Sequence, residues 1–145
     1  MLLDFIALLC AGLFAGAAIY VTFVEHPARL ACDSEVAVTQ FGPSYRRGAI
    51  MQGSLAAVGC LAALATWVQG RGGLVLVAGV LLGAVIPFTL VVILPTNRRL
   101  LDPALDPRSD EAADLLARWG ALHAVRSFAG GAAFLLLALH ALGTI

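Results

Sequence analysis

The 145-residue chain is 61% hydrophobic and only 12% charged, and its mean hydropathy of +0.94 is too high for a soluble domain, where about a quarter of the residues are charged. Its nine basic residues are all arginines and are balanced by nine acidic ones, so the dense basic surface that nucleic-acid binding requires is absent. Three cysteines, an odd number, do not suggest a disulfide framework. The composition predicts a protein whose main partner is the lipid bilayer.

Four apolar segments are each long enough to span a bilayer, which takes about 20 residues of helix. They cover residues 5–24, 48–68, 74–94 and 122–142. The first follows Met-Leu-Leu-Asp with no basic residue ahead of it, which is typical of a permanent span and not of a cleaved signal peptide. The sequence therefore predicts an all-α integral membrane four-helix bundle that forms one transmembrane domain over residues 1–145.

The connections between the spans differ in length and charge. Residues 69–73 form a short polar link, whereas residues 25–47 and 96–121 are long and hold most of the charge. Antiparallel hairpins put both long connections on one side, together with these arginines: Arg29, Arg46, Arg47, Arg98, Arg99, Arg108 and Arg118. Because cytoplasmic loops are enriched in basic residues, we expect a bacterial inner-membrane protein with cytoplasmic long loops and both termini outside.

The two halves of the chain look alike. Residues 25–30 parallel residues 95–100, and residues 47–51 parallel residues 119–123, at an offset of about 70 residues. A duplicated helical hairpin would explain both matches, with the halves related by an axis along the membrane normal.

Small residues four apart occur at Gly12 and Gly16 and again at Gly79 and Gly83. Such pairs let helix backbones approach closely in lipid. Two uses remain open, namely contacts within one chain and the interface of a homo-oligomer.

Ionisable residues gather where the first span ends. Glu25 and His26 are followed by Pro27, which biases the preceding residue away from helical geometry and predicts the end of the helix. Arg126 lies inside the fourth span, where an unpaired charge costs several kcal/mol. Glu25 is the acceptor best placed by depth, so the sequence predicts an ion pair between Glu25 and Arg126. The alternative is an Arg126 side chain that extends to the membrane interface.

The start of the fourth span carries a second group. Trp119, His123 and Arg126 have the spacing that puts three side chains on one helical stripe. Other polar candidates near the same boundary are Tyr20, Tyr45, Gln52, Thr96 and Asn97. Each has a structural interpretation, as an interfacial residue or an interhelical hydrogen bond, beside the interpretation as a substrate contact. His140 is expected at the other end of the span, apart from this cluster.

A metal site is one hypothesis for the cluster. Glu25, His26 and His123 provide the two imidazoles and one carboxylate typical of non-haem iron sites that activate oxygen, and copper is an alternative. Adjacent helical residues point about 100 degrees apart, so Glu25 and His26 could share one ion only if the chain unwinds at Pro27. No sequence motif for an organic cofactor or nucleotide is present.

Four sequence blocks at the predicted cytoplasmic ends of the spans carry a resemblance to a known family. They are residues 24–29, residues 43–48 with Gln52, residues 95–100, and residues 119–126. Through these blocks the sequence resembles the anthrone oxygenases, a family of small four-span proteins, and the resemblance extends over nearly the whole chain. The resemblance implies an enzyme that uses molecular oxygen to convert a lipid-soluble tricyclic anthrone into an anthraquinone at the membrane edge, without a recognised organic cofactor.

The resemblance also suggests roles for the cluster. His26 or His123 would be the general base that deprotonates the activated carbon, and Arg126, Asn97 or Gln52 would stabilise the resulting enolate oxygen. The predicted catalytic residues are thus Glu25, His26, His123 and Arg126. The predicted substrate contacts are Tyr20, Tyr45, Gln52, Asn97 and Trp119.

Two other classes of function remain open. The first is a non-catalytic binding or interaction module, in which the polar cluster is a structural lock, that is, a set of contacts that only holds the helices together. The second is a small-molecule transporter subunit, because internal duplication like that predicted here also occurs in transporters.

Overall fold

The computed structural model describes residues 1–143, which form four long helices. We label them α1 (Leu2–Leu30), α2 (Ser34–Val68), α3 (Gly73–Leu100) and α4 (Asp110–Ala141). All four are long and apolar enough to cross a membrane, and no strand occurs within residues 1–143. The predicted all-α fold with four candidate spans is confirmed, and it is compatible with a multi-pass membrane protein.

The four helices form a ring. Each helix packs against its neighbours in the chain, and α1 also packs against α4. Alanines fill much of the centre, together with larger side chains such as Phe14 and Leu82 that are fully buried. Large apolar side chains also cover the outside, where Phe128 is 80% exposed. An outer surface of this kind suits a lipid surrounding, because monomeric soluble proteins rarely expose large apolar patches.

The helices extend well beyond the apolar segments at the end where α1 joins α2. There α2 begins at Ser34, and the Asp33 side chain caps it by accepting a hydrogen bond from the Glu35 N–H at 2.9 Å. α4 begins at Asp110, where the Ser109 hydroxyl accepts from the backbone of α4. Capping residues of these types fix helix starts whatever the hydropathy of the next turns.

The two connections at this end are therefore short, covering residues 31–33 and 101–109. The prediction that residues 25–47 and 96–121 are long loops is wrong, since most of both ranges is helical. Hydropathy marks where a segment stops being apolar, whereas the helix continues as long as its backbone hydrogen bonds do.

α1 and α3 each contain one π-helical turn, at Val21–Glu25 and Thr89–Ile93. A proline follows each turn after one intervening residue, Pro27 in α1 and Pro95 in α3. Proline lacks an N–H and clashes with the carbonyl four residues earlier, and the wider turn relieves both problems. The predicted helix end at Pro27 is therefore wrong. The equivalent turns in the two hairpins agree with the predicted duplication, which stays a prediction.

Glycines of the small-residue pairs serve contacts within the chain. A Cβ on Gly79 would lie 2.9 Å from the Cβ of Ala63, and one on Gly83 would lie 2.6 Å from the Sγ of Cys60. These glycines therefore let α3 approach α2 closely. A Cβ on Gly16 would meet no atom within 4 Å.

Candidate active site

A cavity of about 530 Å³ lies between the helices near the end that carries the two short connections. Its volume falls in the range of roughly 300–1,000 Å³ typical of small-molecule sites. All four helices contribute to its wall, which is largely apolar. The polar and ionisable wall residues are Tyr20, Glu25, Arg29, Ser44, Tyr45, Arg47, Gln52, Thr89, Trp119, His123 and Arg126. We call it the site cavity.

Both π-helical turns border the site cavity. Val21 and Glu25 of the first turn and Thr89 and Leu90 of the second are wall residues. A π turn carries an extra residue and changes the direction of the side chains that follow. The two prolines of α1 and α3 thus help to set which residues face the cavity.

One carboxylate oxygen of Glu25 is engaged with neighbours on α1 and α2. This atom, Oε1, accepts a hydrogen bond from Arg29 Nη2 at 2.7 Å, one from Gln40 Nε2 at 3.2 Å, and a third from the Ser44 hydroxyl. Because α1 remains helical past Pro27, Arg29 lies one turn after Glu25 on the same face. The predicted pairing of Glu25 with Arg126 is therefore wrong, and Arg29 takes that place.

Arg29 is the most enclosed charge of the site, with a side chain only 3% exposed. Its guanidinium carbon lies 5.6 Å from the ring centroids of both Phe41 and Trp119. Cation–π contacts of this kind gain strength when they are desolvated. The Glu25 pair and the two rings together fix Arg29 as part of the wall.

Arg126 has a different environment. Its Nη2 donates a hydrogen bond to Gln52 Oε1 at 3.0 Å, and its guanidinium carbon lies 5.7 Å from the ring centroid of Phe14. Its Nε is buried and has no hydrogen-bond partner within residues 1–143. Arg126 is thus held by a neutral amide and an aromatic ring.

His123 is buried in the wall and fixed from behind. Its Nδ1 lies 3.4 Å from the Ser127 hydroxyl, which also lies 2.7 Å from the Thr22 hydroxyl and 3.0 Å from the Ala18 carbonyl oxygen. The Trp119 ring packs against the imidazole with 4.8 Å between centroids. This hydroxyl pair connects His123 to the π turn of α1 and sets the orientation of its ring.

His26 is not a wall residue. It packs on the far side of Trp119, with ring centroids 5.1 Å apart, and against Gly120. Both of its ring nitrogens are buried without a partner in the described chain. Thr96 and Asn97 are likewise buried but outside the wall. Neither amide atom of Asn97 has a hydrogen-bond partner within residues 1–143.

The hypothesised metal ligands do not come together. Over residues 1–143, no group of three His, Cys, Asp or Glu side chains is placed to hold one metal ion. Oε1 of Glu25 already accepts from three donors, and His26 lies outside the cavity that Glu25 and His123 line. Iron or copper held by these three residues does not fit this arrangement.

Most of the predicted site residues do meet at the site cavity. Glu25, His123, Arg126, Tyr20, Tyr45, Gln52 and Trp119 are wall residues, whereas His26 and Asn97 are not. The sequence interpretation missed four polar wall residues: Arg29, Ser44, Arg47 and Thr89. The spacing of four residues between Glu25 and Arg29 is a signal that could have found the first of these.

A second polar group lies at the opposite end of the helix bundle from the site cavity. Asp4 lies 3.5 Å from Arg71 and 3.6 Å from His140, beside a separate cavity of about 400 Å³. His140 is therefore remote from the site cavity.

These features define a class of protein: a helical protein with four candidate membrane spans and a cavity at one end that is walled by apolar, aromatic and ionisable side chains. The anthrone oxygenase family model matches residues 41–136, and the chain belongs to this family.

Two curated relatives extend that match over most of the chain. The anthrone oxygenase tpcL of Aspergillus fumigatus is 32% identical over 131 residues, which cover 83% of this chain and 81% of that protein. An anthrone oxygenase of Claviceps purpurea is 30% identical over 134 residues, covering 82% of this chain and 77% of that protein. No solved structure matches the chain at a significant level.

Proposed function

We propose that the chain is a membrane-embedded oxygenase that uses molecular oxygen to oxidise a lipid-soluble aromatic substrate held in the site cavity. The observation that carries this proposal is the position of His123 in the cavity wall, with Arg126 and Gln52 beside it, in a member of the anthrone oxygenase family. Anthrones are the substrates that the names of both relatives suggest.

The reaction divides into steps that these side chains can perform. His123 removes a proton from the activated methylene group, which leaves an electron-rich enolate. Arg126 donates to the enolate oxygen and so lowers the energy of the anion. The carbon then reacts with molecular oxygen. Overall the methylene carbon loses two hydrogens and four electrons and gains one oxygen atom, while the second oxygen atom leaves as water.

The remaining wall residues bind and orient. Trp119 and Tyr45 offer aromatic faces to a flat substrate, and Glu25 acts by holding Arg29 in the wall. Tyr20 is 55% exposed on the outer surface while it also borders the cavity, so it lies where a substrate dissolved in lipid would enter.

The test is oxygen consumption and anthraquinone formation from anthrone by the purified protein in lipid nanodiscs, with empty nanodiscs to measure spontaneous oxidation. We expect His123→Gln to reduce turnover by about a hundredfold or more, the usual contribution of a general base. The matched control is His140→Gln, at the other end of the same helix, which should keep its activity. A metal analysis of the same samples shows whether turnover follows any bound iron or copper.

Three outcomes would contradict the proposal in whole or in part. The base would be misassigned if His123→Gln kept its turnover, and the oxygenase would be refuted if the native protein never exceeded empty nanodiscs. If His123→Gln lowers the Tm and the native protein binds no ligand, the polar cluster would instead be the structural lock of a non-catalytic interaction module.

We also propose that the site cavity lies at the cytoplasmic side of the bacterial inner membrane. The side that holds the α1–α2 and α3–α4 connections is much richer in arginine than the side that holds Arg71, as cytoplasmic sides are. Cys32 is exposed at the α1–α2 connection and makes a direct probe. In a variant with Cys10 and Cys60 replaced by alanine, an impermeant maleimide should label Cys32 only after the cells are lysed, and labelling of intact cells would reverse the orientation.

A homo-oligomer is a further proposal, supported by the open space beside Gly16. Cross-linking in nanodiscs of the native protein and a Gly16→Leu variant tests it. A dimer that is lost in the variant is the expected result, and monomers alone would refute it.

A further inference from the structure

The charged groups of the site cavity do not balance. Four charged residues line it: Glu25, Arg29, Arg47 and Arg126. Glu25 and Arg29 neutralise each other at 2.7 Å. Arg47 is exposed and turns back along α2 to donate to the Pro43 carbonyl oxygen at 3.4 Å. Within residues 1–143 neither Arg47 nor Arg126 has a carboxylate partner, but Arg47 is exposed, so Arg126 is the more enclosed positive charge without a counter-ion.

The contacts of Arg126 support this count. Within residues 1–143 no carboxylate forms an ion pair with it, although carboxylates pair with Arg29, Arg71, Arg99 and Arg108. Gln52 supplies a neutral oxygen, and the buried Nε has no acceptor. A cation inside a spanning helix is costly unless an anion or dipoles compensate it. A ligand with a negative charge could therefore compensate the charge of Arg126.

We infer that the site cavity binds its ligand as an anion, an apolar aromatic molecule whose ionised oxygen pairs with Arg126. A carboxylate, phenolate or enolate oxygen has the charge and the lone pairs that a guanidinium recognises. The aromatic body suits a wall that contains Phe41, Tyr45 and Trp119. This inference rests on the proposed function for the location of the site, and it adds that Arg126 selects the ionised form of the ligand when the ligand binds.

The probes are anthracene-9-carboxylate and its uncharged analogue anthracene-9-carboxamide, which share the same tricyclic body. Their binding is measured by fluorescence in zwitterionic nanodiscs, and binding to empty nanodiscs is subtracted. We expect the carboxylate to bind at least about tenfold more tightly than the amide, the scale of one desolvated charge pair. Oleate, an aliphatic carboxylate, should compete weakly.

Two substitutions assign the preference to Arg126. Arg126→Gln should erase it. Gln52→Glu is the sharper variant, because it places a carboxylate where an amide already contacts Arg126. This variant should raise the Tm while it lowers the affinity for the carboxylate about tenfold more than the affinity for the amide. Arg46→Gln, an exposed arginine of α2 outside the wall, is the matched control and should keep the preference.

The inference is overturned if the native protein binds both probes equally, or if Gln52→Glu keeps the preference for the carboxylate. Oleate binding as tight as that of the aromatic acid would overturn the aromatic assignment and indicate a lipid acid. Failure of the proposed function is distinguishable, because a protein that prefers the carboxylate without oxidising anthrone refutes only the oxygenase. A protein that oxidises anthrone and binds both probes equally refutes only the anionic ligand.

Discussion

Gly120 of α4 lies directly against the imidazole of His26 on α1, so closely that a methyl group at position 120 would overlap the ring atoms Nε2 and Cδ2. On its other side the imidazole packs against Trp119, which is part of the cavity wall. The absence of a side chain at position 120 therefore sets how close α1 comes to α4 beside the site cavity.

Gly120→Ala should destabilise the protein by about 1–3 kcal/mol, the usual cost of overpacking. This loss is expected even though alanine is the better helix former by about 1 kcal/mol. Unfolding by a denaturing detergent measures the change. Gly131→Ala on the same helix is the control, because no atom lies within 4 Å of a Cβ built there, and it should be neutral or stabilising. Equal behaviour of the two variants would contradict the close contact.

Glu25→Gln should lower the free energy of unfolding by about 3 kcal/mol, because it leaves the buried guanidinium of Arg29 without its counter-charge. Thermal unfolding in nanodiscs provides the measurement. The control is Glu35→Gln, which breaks an exposed ion pair with Arg108 and should change stability by less than about 1 kcal/mol. A double variant with Arg29→Met should recover part of the loss, and strict additivity of the two single effects would argue against the pair.

The sequence predicts the helices better than it predicts their ends and contacts. Apolar length alone locates four helices, because a bilayer demands about 20 apolar residues for each span. Apolar length cannot reveal that α1 continues through Pro27. The π turn that makes this possible is a backbone rearrangement that no particular residue pattern predicts. That one error moved Arg29 out of the predicted site and paired Glu25 with Arg126.

The stripe of α4 was easier to predict. Trp119, His123 and Arg126 follow helical spacing within one uninterrupted helix, and all three line the site cavity. His26 and Asn97 show the limit of such inference, because both are polar and near the predicted boundary yet face other parts of the interior. The side of a helix that faces a cavity depends on packing against the other three helices, which a single sequence does not specify.

Ser127→Ala should affect both stability and turnover. The hydroxyl joins His123, Thr22 and the Ala18 carbonyl group, and the loss of its hydrogen bonds should cost about 1–2 kcal/mol. If it also orients His123, kcat falls while KM for anthrone stays nearly unchanged. Ser54→Ala, an exposed serine of α2, controls for hydroxyl loss. A variant that is less stable but keeps its kcat would limit Ser127 to a structural role.

Gly48→Leu should weaken ligand binding in the site cavity without destabilising the fold. Gly48 is a wall residue, and no atom lies within 4 Å of a Cβ built on it, so a leucine side chain can extend into space that a ligand would otherwise fill. Leucine is a better helix former than glycine by about 0.8 kcal/mol, so the Tm should hold or rise. We expect affinity for anthracene-9-carboxylate to fall at least about tenfold. Gly131→Leu on α4 has equal open space but lies outside the wall and should bind normally. Unchanged affinity in Gly48→Leu would mean that the ligand binds elsewhere, because a blocked cavity cannot hold it.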